Sequence, residues 1–216
     1  MNNLTLNSQI KNQIAGYILA GGRSSRFKGQ AKGMQLLNGQ PLISHCIDRL
    51  KPQVSQLHIN SHLPIYEQFK LPLISDLPET IHQGPLSGLY ASLRHFCHSY
   101  PDKTWLFLAP CDSPFIPIDI VSAFINNLDD PKTTNQTVKA ACISYENQLQ
   151  PTFSIWHKDL LKQLEQAVKT KNWGGLKFFF NALGNSAFAI HYPKQNTNPF
   201  FNINSPFELQ KAEQLL

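Results

Sequence analysis

Apolar residues along this chain follow two alternating patterns. Short runs of strand character, AGYILA (15–20), QLHIN (56–60), PLIS (72–75) and TWLFLAP (104–110), are separated by stretches in which apolar positions recur every three or four residues. Leu42, Ile43, Cys46, Ile47 and Leu50 share one helical face within residues 41–51, and Pro41 suits the first turn of that helix. Leu86, Leu89, Tyr90, Leu93, Phe96 and Cys97 repeat the pattern after Gly84-Pro85, as do Ile118, Val121, Phe124, Ile125 and Leu128 after Pro114 and Pro117. The run at 104–110 is of the continuous kind that a central parallel strand buries on both faces. The alternation predicts an α/β fold, a Rossmann-like, doubly wound, mainly parallel sheet with helices on both faces.

From Asp129 the pattern loosens. A polar loop (129–137) precedes two strand candidates, VKAACIS (138–144) and LQPTFSIW (149–156), around the turn-like Tyr145-Glu146-Asn147. They predict an antiparallel edge in the C-terminal half. An amphipathic helix through Leu160, Leu161, Leu164 and Val168 follows, and Ser205-Pro206-Phe207-Glu208 has the residues of a capping box that opens the last helix. With 216 residues and 42% hydrophobic content, one domain over 1–216 is expected.

Composition narrows the partner. The formal net charge of +5 favours an anion, but only 15% of residues are charged, which points to a small anion and away from nucleic acid. Cys46, Cys97, Cys111 and Cys142 are widely spaced with no C-x-x-C pair, and are read as buried free thiols. The eight histidines form no ligand-spaced cluster, so none is assigned to a metal. The N-terminal stretch lacks the apolar core of a signal peptide and no run reaches membrane-spanning length, so a cytoplasmic protein without membrane contact is expected.

The stretch from Leu19 to Gly33, LAGGRSSRFKGQAKG, carries the chemistry. After a strand, the adjacent Gly21 and Gly22 let backbone N–H groups approach phosphate oxygens, and Arg23, Arg26, Lys28 and Lys32 supply positive charge. A polyphosphate suits such a loop. The chain contains no Gly-Lys dipeptide, which excludes the P-loop, and no G-x-G-x-x-G, which leaves a dinucleotide fingerprint unsupported. Asp112 stands where the central strand ends, the place where ligands gather in doubly wound sheets, and a carboxylate there suits a hard cation on phosphate oxygens.

Residues 19–43 resemble the signature of nucleotidyltransferases that begin L-A-(G/A)-G and continue through an arginine, a lysine and G-x-P-L. Together with Gly84-Pro85-Leu86-Ser87-Gly88, Pro110-Cys111-Asp112-Ser113-Pro114, Gln150-Pro151-Thr152 and Asn202-Ile203-Asn204-Ser205-Pro206, the chain is similar to the molybdenum cofactor guanylyltransferases across residues 15–206. That resemblance implies transfer of GMP from GTP to molybdopterin carrying molybdenum, with Mg²⁺, giving a guanine dinucleotide and pyrophosphate. It implies Lys32, Arg26 and Asp112 as catalytic residues, with Asp112 also holding the metal. It places the nucleotide on Leu19, Ala20, Gly21, Gly22, Lys32, Asn60, Gly84, Pro85 and Asp112, with guanine read by Asp76. Asn202 and Asn204 complete the metal or phosphate shell. Residues 15–128 then form a nucleotide-binding half and 129–216 a cofactor-substrate half. Partners extend from GTP and molybdopterin to other cofactor-biosynthesis proteins and apo-molybdoenzymes.

Two positions depart from the signature: Ala31, where aspartate often precedes the lysine, and Phe27, where methionine is usual. Phe178-Phe179-Phe180 is read as core rather than as a pterin-stacking surface. The residues leave open a relative using CTP or a sugar 1-phosphate, and a non-catalytic nucleotide-binding homologue; Gly21 in place of the second alanine of L-A-A-G favours GTP over CTP.

Overall fold

The computed structural model describes residues 11–22, 27, 29–78, 84–128, 138–170 and 175–216. Its chain runs through β1 (Ile14–Leu19), a small ribbon of β2 (Leu36–Leu37) and β3 (Gln40–Pro41), α1 (Leu42–Leu50), β4 (Gln56–Asn60), β5 (Leu73–Ile74), α2 (Pro85–Ser99) and β6 (Trp105–Pro110). It continues with α3 (Ile120–Leu128), β7 (Ala140–Tyr145), β8 (Gln148–His157), α4 (Leu161–Lys169), α5 (Leu176–Ala182), β9 (Ala187–His191) and α6 (Pro206–Glu213). The sheet order is β5-β4-β1-β6-β8-β7-β9. β5, β4, β1 and β6 are mutually parallel, and β8 is antiparallel to both β6 and β7. The expected mainly parallel, doubly wound sheet with an antiparallel element in the C-terminal half is thus present.

Period-two alternation within unbroken apolar strands explains the two cores. Ile14 and Ile18 of β1 and Phe107 and Ala109 of β6 bury one face against α1 and α3, through Ile43, Ile47, Val121 and Phe124. Ala15, Tyr17, Leu106 and Leu108 bury the other against α2, α4 and α5, through Leu89, Leu93, Leu164 and Phe179. Phe179 and Phe180 belong to this second core, while Phe178 is 55% exposed. Cys46, Cys111 and Cys142 are buried, Cys97 is half-buried, and all four are free. At the last helix Ser205 Oγ accepts the Glu208 N–H at 3.3 Å, and the Glu208 carboxylate reaches back to the Asn204 N–H at 2.7 Å.

One expected helix begins late. The Ile120 N–H bonds the Pro117 carbonyl, so a turn occupies the residues after that proline and α3 starts at Ile120. Ile118 therefore lies outside the apolar face and is 75% exposed. The polar loop at 129–137 lies outside the described residues. No helix among the described residues is long and apolar enough to cross a membrane.

Beneath α2 lies a buried knot of imidazole and phenol rings. Tyr17 stacks on His58 with centroids 4.6 Å apart and shares a hydrogen bond of 2.7 Å with His95 Nδ1. His58 Nε2 pairs with Tyr100 Oη at 2.9 Å. Burial, and then the neighbouring His95, lower the His58 pKa from 6.5 to about 4. His95 is lowered too, by burial and then by His98; Cys97 is the other titratable group facing Tyr17. A base held neutral in the folded state contributes its stability in full above its unfolded pKa and loses it as pH falls toward its folded one. The melting temperature is therefore expected to fall as pH drops from 6.5 to 4, with His58 contributing about 3 kcal/mol. Melting curves of the parent and His58→Asn over that range check this; parallel pH profiles would contradict it.

Candidate active site

The carboxyl ends of β5, β4, β1 and β6 open into one cavity of about 470 Å³. At the end of β1, Leu19, Ala20, Gly21 and Gly22 line it. The turn is tied to the next strand, because the Ala20 N–H donates to the Asn60 carbonyl at 2.8 Å and Ser61 Oγ donates to the Ala20 carbonyl at 3.2 Å. Among the described residues, a Cβ at Gly22 would meet nothing within 4 Å, and one at Gly21 nothing nearer than 3.9 Å. The fold thus does not need glycine here for room; the two glycines leave bare backbone beside the cavity.

Lys32 opens a 3₁₀ turn (Lys32–Met34), and its side chain crosses to the end of β6. Its ammonium donates to Asp112 Oδ2 at 2.8 Å and to Asn204 Oδ1 at 2.7 Å, joining residues far apart in the chain. The two charged side chains are 23% and 10% exposed, so the pair is neither buried nor bathed in solvent. Asp112 Oδ1, by contrast, is buried with no hydrogen-bond partner among the described residues. Ala31, the departure from the signature, does not prevent Lys32 from meeting Asp112. Gly33 admits no larger residue cheaply, since a Cβ there would lie 2.9 Å from Tyr66 Oη and 3.2 Å from Cys111 Sγ.

The segment before α6 forms one wall. The Ile203 N–H donates to the Asp112 carbonyl at 2.9 Å and Ser113 Oγ donates to Asn202 Oδ1 at 2.6 Å. Asn202 and Asn204 both line the cavity, with one amide oxygen engaged by Ser113 and the other by Lys32. At the opposite end, Asn60 Nδ2 donates to Asp76 Oδ1 at 2.9 Å and to the Ile74 carbonyl at 3.1 Å. Asn60 and Asp76 line the cavity together with Gly84 and Pro85, which open α2. Arg26, Arg23 and Lys28 lie outside the described residues.

Sequence reasoning assigned no role to Thr152, which also lines the cavity. In the β7–β8 ladder Cys142 pairs with Ser154 but Ile143 pairs with Gln150, leaving residues 151–153 as a bulge. Ser154 Oγ closes it onto the Pro151 carbonyl at 2.7 Å. A proline inside a strand is the available signal, because it cannot donate to the ladder. Cys111 lines the cavity as well, but burial and then the Asp112 charge push its thiol up to about 12. It stays protonated and is no nucleophile.

A doubly wound sheet that gathers a glycine turn, a lysine and a carboxylate at its strand ends has the form of a nucleotide-handling α/β enzyme. The family model of the MobA-like NTP transferase domain matches residues 16–186. A molybdenum cofactor guanylyltransferase of Yersinia pestis (strain Pestoides F) is 42% identical over 206 residues, covering 93% of this chain and 95% of its own. Among solved structures, the molybdopterin-guanine dinucleotide biosynthesis protein A of Archaeoglobus fulgidus aligns with a TM-score of 0.68 at 21% identity, over 93% of this chain and 97% of its own. The 4-diphosphocytidyl-2C-methyl-D-erythritolsynthase of Anaerococcus prevotii aligns with a TM-score of 0.73 at 11% identity, over 99% of both chains. At such identities these two structures establish the fold. The chain belongs to the MobA-like NTP transferase family and is a nucleotidyltransferase.

Proposed function

We propose that this chain transfers GMP from GTP to the terminal phosphate of molybdopterin carrying molybdenum, releasing pyrophosphate. The observation that supports this reading best is the order of groups along one cavity. Asn60 and Asp76 stand at the ends of β4 and β5, the bare glycine turn at the end of β1, Lys32 and Asp112 at the end of β6, and Thr152 on β8. Guanine binds at the first end, its triphosphate lies along the Leu19–Gly22 backbone, and Lys32 neutralises charge where the two substrates' phosphates meet. Attacking and α-phosphates repel, so holding them in line against a fixed cation supplies the catalysis without a covalent nucleophile. The C-terminal half, with Thr152, Asn202 and Asn204 on its side of the cavity, takes the pterin substrate.

Asp112 Oδ1, buried and without a hydrogen-bond partner among the described residues, fits a hard divalent cation, and Mg²⁺ commonly takes one or two carboxylates and fills its shell with phosphate and water oxygens. No group of three or more His, Cys, Asp or Glu suited to a metal occurs among the described residues, so Asp112 would hold Mg²⁺ jointly with the nucleotide. Held there, such an ion would supply positive charge to the nucleotide's phosphates.

The test is formation of dinucleotide and pyrophosphate from molybdopterin with GTP, ATP or CTP. Guanine offers two parallel donors, N1–H and the exocyclic amine, and a base lacking them forgoes hydrogen bonds to a carboxylate worth about 1–3 kcal/mol each. A preference for GTP of about 10²-fold or more in kcat/KM is expected. Asp76→Ala should erode that preference more than it slows turnover of bound GTP. An undiminished preference in competition kinetics, with only the melting temperature lowered, would return Asp76 to the role of a turn former.

A further inference from the structure

Asp76 has a second holder besides Asn60. Ser87, in the first turn of α2 and fully buried, places its hydroxyl 3.0 Å from Asp76 Oδ2. Its backbone N–H and its hydroxyl both approach the Gly84 carbonyl, at 3.1 and 2.8 Å, which fixes the side chain against the helix start. The single hydroxyl proton faces two acceptors, and the carboxylate is the stronger of them. Each carboxylate oxygen of Asp76 therefore has one donor within reach, Asn60 at Oδ1 and Ser87 at Oδ2.

That arrangement matters because the terminal torsion of an aspartate is broad and cheap to rotate. A carboxylate can accept two parallel N–H groups only when both oxygens lie in the plane of the base edge. Donors on both oxygens set that plane; a donor on one does not. The same helical turn packs closely on Asn60, since a Cβ at Gly88 would fall 2.6 Å from Asn60 Oδ1 and 2.6 Å from Leu19 Cδ2. The segment Gly84-Pro85-Leu86-Ser87-Gly88 then has a physical meaning. Gly84, at φ +74°, starts the helix, Ser87 holds Asp76, and Gly88 makes room for Asn60.

We propose that Ser87 is a positioning residue for base recognition, orienting Asp76 so that guanine's exocyclic amine as well as its N1–H is read. The proposal rests on the reading of GTP as donor given above. Inosine triphosphate, which keeps N1–H and lacks the amine, is the probe that isolates the orientation. A carboxylate free to rotate can still accept one N–H, but it loses the paired geometry.

The experiment measures equilibrium binding of GTP, inosine triphosphate, ATP and CTP to the full chain as parent, Ser87→Ala and Ser87→Cys, with a melting curve for each. The cysteine variant keeps a side chain of similar shape with a weak donor, should the alanine variant fold poorly. In the parent, GTP is expected to bind at least about tenfold more tightly than inosine triphosphate, the worth of one hydrogen bond to a charged group. In both variants the Kd for GTP should rise about tenfold while that for inosine triphosphate rises far less, bringing the ratio toward one. A purely structural role would weaken both nucleotides alike and lower the melting temperature; an unchanged ratio in the folded variants overturns the proposal. A parent with no preference for GTP over ATP and CTP would instead overturn the GTP reading, and this inference with it.

Discussion

Lys32→Ala is expected to lower turnover by about 10²- to 10³-fold, the scale on which one preorganised charge-stabilising donor acts. Among the described residues that line the cavity, Lys32 is the cation, and it stands within 2.8 Å of the carboxylate at the end of β6. Removing it leaves two phosphates to approach one another with less opposing charge, a cost borne mainly in the transition state. The Asp112 side chain left behind is only 10% exposed and loses its counter-ion, so a lowered melting temperature is expected beside the loss of turnover. The measurement is pyrophosphate release by purified variant and parent, beside melting curves of both. Activity within threefold of the parent would remove Lys32 from this role. Lys32→Arg is expected to recover only part of the loss, because a planar fork cannot meet Asp112 Oδ2 and Asn204 Oδ1 as a compact ammonium does.

The placement of Asp112 and Asp76 was legible because each follows a strand-like run, and parallel strands in a doubly wound sheet deliver their ends to one edge. Lys32 was legible from its place in the signature, yet its two partners were not. The pairs Lys32–Asp112 and Lys32–Asn204 depend on β1 lying beside β6 and on the Ile203 N–H seating the last loop against Asp112, and no local spacing encodes either. Asn60 and Asp76 were read as separate contacts to the nucleotide; the structure shows them hydrogen-bonded to one another. Gln150-Pro151-Thr152 entered the resemblance with no role for Thr152, although Pro151 announces the bulge.

In the fold, the long apolar runs and the short strand at 72–75 were read correctly, while the helix after Pro117 was begun too early and two other short elements were not anticipated. Asn38-Gly39 carries a hairpin signal, and both residues adopt positive φ, 50° and 76°, between the two-residue strands of the β2–β3 ribbon. That ribbon was passed over because its residues were read only as part of a signature. β9 was not anticipated either: Ala187–His191 is short, and its pairing with β7 is settled by tertiary contact rather than by pattern. For α5, burial of Phe179 and Phe180 follows from the Trp156 ring 5.9 and 6.0 Å away on β8, a neighbour that helical spacing alone does not reveal.

Asp112→Asn is expected to have the largest effect, a loss of turnover in the presence of Mg²⁺ of about 10³-fold or more, since it would remove the proposed cation ligand and the Lys32 ion pair together. The substitution keeps the shape of the side chain and replaces an oxygen by an amide nitrogen. If that nitrogen takes the place of Oδ2, it faces the Lys32 ammonium across 2.8 Å, donor against donor. If it takes the place of Oδ1, it puts a donor where the proposed cation would bind. Either orientation weakens the cation site, and neither touches Asn60 or Asp76 at the far end of the cavity. Binding of GTP in the absence of metal should therefore change by less than about tenfold, while added Mg²⁺ should no longer tighten it. Titrating Mg²⁺ into parent and variant, with GTP affinity and pyrophosphate release read in parallel, separates metal binding from folding. If high Mg²⁺ brought the variant to the parent's turnover and nucleotide affinity, Asp112 would be a turn residue before Pro114, and the cation would have to be held elsewhere.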